Sequence, residues 1–269
     1  KCDVLCANCH RDLHYQENGL IIGNAWDPLS AMIMQQQGFK AIGTTSWGIA
    51  NSLGCQDGEN IDFLDYFNII KKILDVVQIP VSIDIESGFG KNNSQVIENI
   101  IKLASIGCSG INIEDSNKNG SLKEKETFGL LIKEIRVALD KEKFEDFFIN
   151  VRTDTYLTLE EPYDETLLRA KLYEKQGADG VFIPGLIQKD EIKSISKNLH
   201  LPLNIMTLPK CTAIKELYSN GAKRFSCGNA MSDYIISTIE DACKSILTSS
   251  NTSYLYEHND LEIKLYPNK

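Results

Sequence analysis

The sequence predicts an α/β protein folded as a single (β/α)8 barrel of the TIM type, and three observations carry that expectation. Eight short β-branched runs alternate with longer segments of helical period. Four helix-to-strand joints repeat one pattern. The 269 residues match the roughly 250 that one such barrel occupies.

The strands are expected at residues 20–23, 41–44, 81–85, 110–113, 147–151, 180–183, 203–206 and 224–226. Between them, residues 61–77 read as a helix because Leu64, Phe67, Ile70, Ile73, Leu74 and Val77 recur three and four residues apart. Residues 164–177 read as another, closed by glycine. The repeated joints are QQQGFKAIG, ASIGCSGINI, EKQGADGVFI and YSNGAKRFS. Each places a glycine (Gly38, Gly107, Gly177, Gly221) where a helix needs a left-handed cap, a few residues before an apolar strand. Strands alternating with helices imply right-handed parallel crossovers, and eight units favour a closed barrel over an open sheet. No GxGxxG follows the first strand, and Ser87-Gly88-Phe89-Gly90 comes after the third, so a Rossmann reading lacks its main support.

Composition narrows the function classes. Hydrophobic residues are 42% and mean hydropathy is −0.20, ordinary for a chain with a large core. Twenty-eight Lys and Arg against 37 Asp and Glu give a net charge of −9 and a pI near 5.1, which argues against nucleic-acid binding and for small polar substrates. No apolar run reaches the roughly 20 residues of a membrane span, and the N-terminus lacks a signal pattern. Eight cysteines, sparse outside the first ten residues, fit a reducing, cytoplasmic setting. The expected organisation is an irregular segment at 1–18, the barrel at 19–247 and a tail at 248–269.

In a barrel, functional side chains sit at the C-terminal strand ends. There the third strand carries Asp84, Glu86 and Ser87, the fourth Glu114 and Asp115, the fifth Arg152, Thr153 and Asp154, and the connection after the second Asp57. The period of two puts Asp84 and Glu86 on one side, with Ile83 and Ile85 toward the helices. Carboxylates crowded in this way repel unless a cation or proton lies among them. Oxygen ligands without histidine favour Mg2+, with Mn2+ as the alternative ion. The competing reading is of ordinary caps and surface ion pairs.

Five segments then carry a family resemblance: GNAWDPLSA from Gly23, GFKAIGTTSWGIANSLGCQDGE from Gly38, DIESGFG from Asp84, GINIEDS from Gly110 and NVRTDTYL from Asn150. Together, over residues 19–247, they resemble the isocitrate lyase and phosphoenolpyruvate mutase superfamily. That resemblance implies a modified barrel whose last helix is exchanged between subunits of a homodimer or homotetramer, and Mg2+ bound beside a 2-oxo acid or phosphonate. It makes Asp84 the direct metal ligand, and Asp57, Glu86 and Glu114 the carboxylates that reach the ion through water. Arg152 matches the arginine that meets a substrate carboxylate or phosphonate, and Thr45, Ser46 and Trp47 match the loop that receives carboxylate and carbonyl oxygens. Ser46 is also placed among the catalytic groups, and Asn204 and Thr207 are expected to line the pocket.

The loop after the fourth strand departs from the lyases. They carry a cysteine in a Lys-Cys-Gly-His-like motif, whereas this chain reads Glu114-Asp115-Ser116-Asn117-Lys118-Asn119-Gly120-Ser121-Leu122. Cys108 precedes the strand and reads as a buried small residue. Phosphoenolpyruvate mutases have a lysine and an asparagine there, which Lys118 and Asn119 resemble in a loop about two residues shorter. The resemblance implies an Mg2+-dependent, mutase-like enzyme working through an enolpyruvate intermediate. An oxaloacetate decarboxylase or phosphonopyruvate hydrolase is the near alternative, and a barrel that binds a small acid without catalysis is the alternative of another class.

Near the start, Cys6, Cys9, His10 and His14 have zinc-ligand spacing and resemble the tail of an HNH nuclease. The acidic body offers no basic stripe to support that function, so an irregular lead-in is the favoured reading.

Overall fold

All eight expected runs form strands in the computed structural model, which describes residues 10, 12–14, 16 and 19–256. They are β1 (Leu20–Ala25), β2 (Ile42–Thr44), β3 (Val81–Asp84), β4 (Gly110–Glu114), β5 (Phe148–Arg152), β6 (Gly180–Phe182), β7 (Leu203–Met206) and β8 (Ala222–Ser226). Each pairs in parallel with the next and β8 pairs with β1, closing the barrel. The helices are α1 (Pro28–Gln36), α2 (Ser46–Ser52), α3 (Phe63–Leu74), α4 (Asn93–Ser105), α5 (Lys125–Lys141), α6 (Thr155–Thr158), α7 (Tyr163–Lys175), α8 (Lys189–Asn198), α9 (Ile214–Ser219) and α10 (Ala230–Ser249).

The four repeated joints work as their glycines require. Gly38, Gly107, Gly177 and Gly221 have φ between +93° and +102°, the left-handed region that ends a helix and turns the chain toward the next strand. Outward-facing Ile83, Ile85, Ile111, Ile113, Ile149 and Val151 pack against Ile70, Ile73, Ile100, Leu103, Ile132 and Ile135 of the helices. A second cluster joins Val181, Ile183, Leu203, Ile205 and Phe225 to Ile192, Ile195 and Leu217. Alternation along the strands supplies both faces.

The barrel interior is less apolar than the branched side chains that usually fill one. Ser82, Asn112, Asn150, Asn204 and Arg224 point inward from β3, β4, β5, β7 and β8, and all are buried. Asn150 donates from Nδ2 to Oδ1 of Asn112 at 2.9 Å and of Asn204 at 3.1 Å, and Asn204 donates to Ser226 Oγ at 3.2 Å. This hydrogen-bonded layer lies between the barrel's base and its C-terminal rim.

At the base, His10 and His14 are fully buried, their Nε2 atoms 3.4 Å apart. His14 stacks on Phe148, the first residue of β5, with ring centroids 4.2 Å apart. Burial holds the His14 pKa well below its ordinary value, so the ring is neutral. The two histidines of the proposed zinc spacing therefore pack under the barrel, while Cys6 and Cys9 lie outside the described residues.

The last helix differs from the others. Along α10 only Ser232 is buried, while Met231, Tyr234, Ile235, Ile236, Ile239 and Leu247 are exposed. Trp47 joins it to the rim by donating from Nε1 to Asp233 at 2.8 Å. No described helix is long and apolar enough to cross a membrane.

Candidate active site

Two adjoining cavities open at the C-terminal rim and share Ser46, Asp57, Arg152 and Leu157. The first, of about 210 Å³, lies over the barrel mouth and is lined by Asp84 and Asn112 together with apolar Phe182, Pro184 and Met206. The second, of about 350 Å³, carries Glu86, Glu114, Asp154 and Lys118. Strand ends from β2 to β5 thus bring Asp57, Asp84, Glu86, Glu114 and Arg152 to one place.

Asp84 is held from three sides. Its backbone N–H donates to Thr44 Oγ1 at 2.9 Å, its carbonyl accepts from Tyr66 Oη at 2.5 Å, and its carboxylate accepts from Ser46 Oγ at 3.3 Å. The Ser46 backbone N–H also donates to that carboxylate. Ser46 therefore serves Asp84, and its hydroxyl is a positioning group in this arrangement.

Arg152 is pinned between two acids. Nε and Nη2 grip Asp154 at 2.6 and 3.0 Å, and Nη1 meets Glu114 at 2.9 Å. The Nε–Nη2 side expected to face a substrate anion is thus closed on Asp154, while Arg152 lines both cavities. Ser116 donates to the same Asp154 at 2.6 Å.

Beneath this lies Asp115, which the sequence placed among the strand-end carboxylates without giving it a role. Asp115 is fully buried and accepts from Thr153 Oγ1 at 2.8 Å, Tyr173 Oη at 2.9 Å, Arg169 Nη1 at 3.0 Å and the Asp154 backbone N–H at 3.1 Å. It locks the β4 and β5 ends to α7, and with them Glu114 and Arg152. Glu59 does similar work on the opposite side, accepting from Ser87 Oγ at 2.6 Å and the Phe89 N–H at 2.9 Å. Glu59, Glu86 and Phe89 all adopt positive φ, of 56°, 49° and 54°. Such backbone is costly for residues with a Cβ, and it gathers here at the rim.

Three expected placements are corrected. Asn204 belongs to the interior layer below, and neither it nor Thr207 lines either of these two cavities; Met206 lines the first, because inward-facing residues alternate and the last one reaches the mouth. Asn119 faces away from both cavities, its Oδ1 accepting from the Ser121 N–H and hydroxyl, because the chain turns back between Asn117 and Gly120. Asn117 lines the second cavity instead. Lys118 does reach that cavity, largely exposed, with Nζ 3.3 Å from Glu59. Thr45 caps α2 by accepting from the Gly48 N–H at 3.3 Å, and with Trp47 it lines the first cavity. The apolar wall of Leu157, Phe182 and Pro184 carried no sequence signal, since each reads as ordinary core. Cys108 is buried, and burial raises its thiol pKa, which makes it inert.

The carboxylates are electrostatically uncomfortable. Glu86 is pushed up to about 9, first by burial and then by Asp57, Asp84, Glu114 and Glu59. Burial pushes Glu114 up to about 8 despite the opposing pull of Arg152. Asp84 is also raised, by burial first, with Arg152 opposing and Asp57 adding. A single guanidinium does not neutralise the group, and a divalent cation would. Among the described residues no three His, Cys, Asp or Glu side chains could hold an ion together. Mg2+ needs only one or two carboxylates directly and reaches others through its waters, so the buried oxygen donors of Asp84, Glu86 and Glu114 are of the chemistry that would hold it.

A closed parallel barrel with carboxylates and one arginine gathered at its C-terminal rim is the architecture of α/β-barrel enzymes, whose sites lie at that end. The sequence profile of the phosphoenolpyruvate phosphomutase family matches residues 10–247, and the chain belongs to that family. It is an enzyme of the phosphoenolpyruvate mutase and isocitrate lyase superfamily, whose members among its relatives are lyases and mutases. It is 33% identical over 220 residues to an uncharacterized protein of Mycobacterium tuberculosis strain H37Rv, covering 81% of each chain. It is 28% identical over 211 residues to the oxaloacetate decarboxylase of Pseudomonas entomophila strain L48, covering 74% of this chain and 71% of that one. A crystal structure from Burkholderia cenocepacia J2315, of a candidate phosphonomutase, superposes with a TM-score of 0.85 at 32% identity, over 88% of this chain and 98% of the other. Lyases and mutases as relatives set aside a purely binding role.

Raised carboxylate pKa values make a stability prediction. Between the ordinary value of 4.5 and about 9 for Glu86, or about 8 for Glu114, the folded protein binds more protons than the unfolded chain. Stability of the metal-free protein is therefore fully supported below about 4.5 by these two groups and falls as pH rises through that window. Urea midpoints in EDTA should be lower at about pH 8.5 than at about pH 6, and millimolar Mg2+ should restore most of the loss. A midpoint that rises with pH in EDTA contradicts the assignment.

Proposed function

We propose that this enzyme uses Mg2+ to break or rearrange a P–C or C–C bond of a small 2-oxo acid, phosphonopyruvate or oxaloacetate in type, through an enolpyruvate intermediate. The observation that carries the reading is the convergence of Asp84, Asp57, Glu86 and Glu114 on two adjoining cavities that share Asp57 and Arg152. A distant structural neighbour, phosphonopyruvate hydrolase, is described in complex with oxalate and Mg2+. Asp84 would be the direct ligand, with Asp57, Glu86 and Glu114 reaching the ion through water.

Bound there, the ion would withdraw electron density from the carbonyl oxygen and so lower the cost of an enolate. The chain's own residues do the rest. Arg152 offers its guanidinium to the anionic end of the substrate, held in place by Asp154 and Glu114. Thr45 and Trp47 line the receiving wall and Ser46 fixes Asp84. The short loop bearing Lys118 lies over the second cavity, where it would keep water from a reactive enolate.

Oxaloacetate decarboxylation is the second reading. The loop's lack of cysteine and histidine, and the oxaloacetate decarboxylases among the relatives, favour it over cysteine-dependent lyase chemistry. The apolar strip along α10 fits exchange of that helix between subunits of a homodimer or homotetramer, and light scattering that returns a monomer would remove this part.

The deciding assay is 1H and 31P NMR with Mg2+, phosphonopyruvate and oxaloacetate, against an enzyme-free control. Phosphoenolpyruvate as product establishes the mutase, and phosphate or accelerated pyruvate establishes the hydrolase or decarboxylase. Asp84→Ala should lose at least about a hundredfold in metal-dependent turnover while keeping its far-UV spectrum. Turnover within about threefold of wild type defeats the site assignment.

A further inference from the structure

Arg224 is the largest fully buried side chain among the described residues, 1% exposed in the barrel interior on β8. Its hydrogen bonds are few and to neutral groups: Nη2 donates to Ser82 Oγ at 3.3 Å and to Asn112 Oδ1 at 3.4 Å. Among the described residues Nε and Nη1 have no hydrogen-bond partner, and no carboxylate forms an ion pair with this arginine. A buried cation without a directly paired carboxylate is expensive, and an apolar side chain of similar volume would fill the space at less cost. The charge therefore needs a use.

Two facts say what the use is. Ser82 and Asp84 are alternate residues of β3, so the guanidinium bonded to Ser82 stands one layer beneath Asp84; burial lowers its pKa to about 9, and the Asp84 charge opposes that fall. The second fact concerns Asn112, which lines the first cavity. Arginine only donates, so the atom it meets must be the amide oxygen of Asn112. Asn150 donates to that same oxygen at 2.9 Å. With Oδ1 committed to the interior, the NH2 group of Asn112 is left to serve the cavity floor as a donor. The orientation runs on through Asn150 and Asn204 to Ser226, which lines the same cavity.

We infer that Arg224 is a positioning residue for this site, whose charge moderates the affinity of the rim for its cation and whose donor-only Nη2 orients Asn112 toward an anionic substrate. The inference rests on the metal reading above. It makes an unusual pair of demands, because removing the charge should help the cation and harm the anion.

The test is calorimetric titration of Mg2+, and then of oxalate in saturating Mg2+, into wild type, Arg224→Met, Arg224→Gln and Arg224→Lys, with thermal melts alongside. Oxalate is the probe because it is a small dianion of the substrate's type. Loss of the charge in the Met and Gln variants should tighten Mg2+ about threefold or more and weaken oxalate about tenfold or more. Arg224→Lys, which keeps the charge, should hold Mg2+ within about twofold of wild type. Constants that all stay within about twofold, or that weaken together, overturn the inference, the latter marking a merely structural role. If the Met variant does not fold, the Gln and Lys variants give the same contrast between charged and neutral. A wild-type protein that binds no Mg2+ defeats the metal reading instead, and Arg224 is then judged on oxalate alone.

Discussion

Repulsion among carboxylates is the constraint around which this rim is organised. Asp57, Asp84, Glu86, Glu114 and Asp154 gather about cavities that one guanidinium, Arg152, also lines, and burial of Asp84, Glu86 and Glu114 weakens the screening of their charges. Such a group persists only because the surrounding fold over-determines it. Asp84 is tied by Thr44, Tyr66 and Ser46, and the β4 and β5 ends are tied through Asp115 to Arg169 and Tyr173. Removing either partner of the buried Asp115–Arg169 pair would leave an uncompensated charge, which costs about 3–5 kcal/mol in comparable sites. The positive φ angles of Glu59, Glu86 and Phe89 belong to the same account, since local strain is tolerated where the neighbouring bonds leave no alternative.

Below the rim, the barrel supports the site with polarity rather than with bulk. An interior of asparagines and one arginine conveys hydrogen-bond direction from β3 to β8, so that side chains lining the mouth have their amide orientation decided a layer beneath them. The buried His10 and His14 pack at the base against Phe148. Above, the loop from Asn117 to Gly120 meets the site through the largely exposed Lys118, whose Nζ lies 3.3 Å from the nearly buried carboxylate of Glu59.

Much of this was legible in the sequence. Strands and joints could be read because period-two apolar runs and left-handed glycine caps are local signals, and Gly38, Gly107, Gly177 and Gly221 each do what their position demands. The rim carboxylates could be read because a parallel barrel places every strand end on one face. What escaped depends on contacts between distant strands. Nothing local says that Asp154 closes the fork of Arg152, that Asp115 meets an arginine from α7, or that Met206 rather than Asn204 reaches the mouth. Asn119 was misplaced for a related reason: loop length changes which side chain points inward, and residue type alone does not report it.

The most direct test of the central claim is the number of protons released when Mg2+ binds, measured by calorimetry in buffers of different ionisation enthalpy near pH 7. Crowded, partly protonated carboxylates that receive a divalent ion must give up protons, so the account predicts net release that diminishes as pH rises toward about 9. Mg2+ binding with no proton release, or no binding at all, would contradict it.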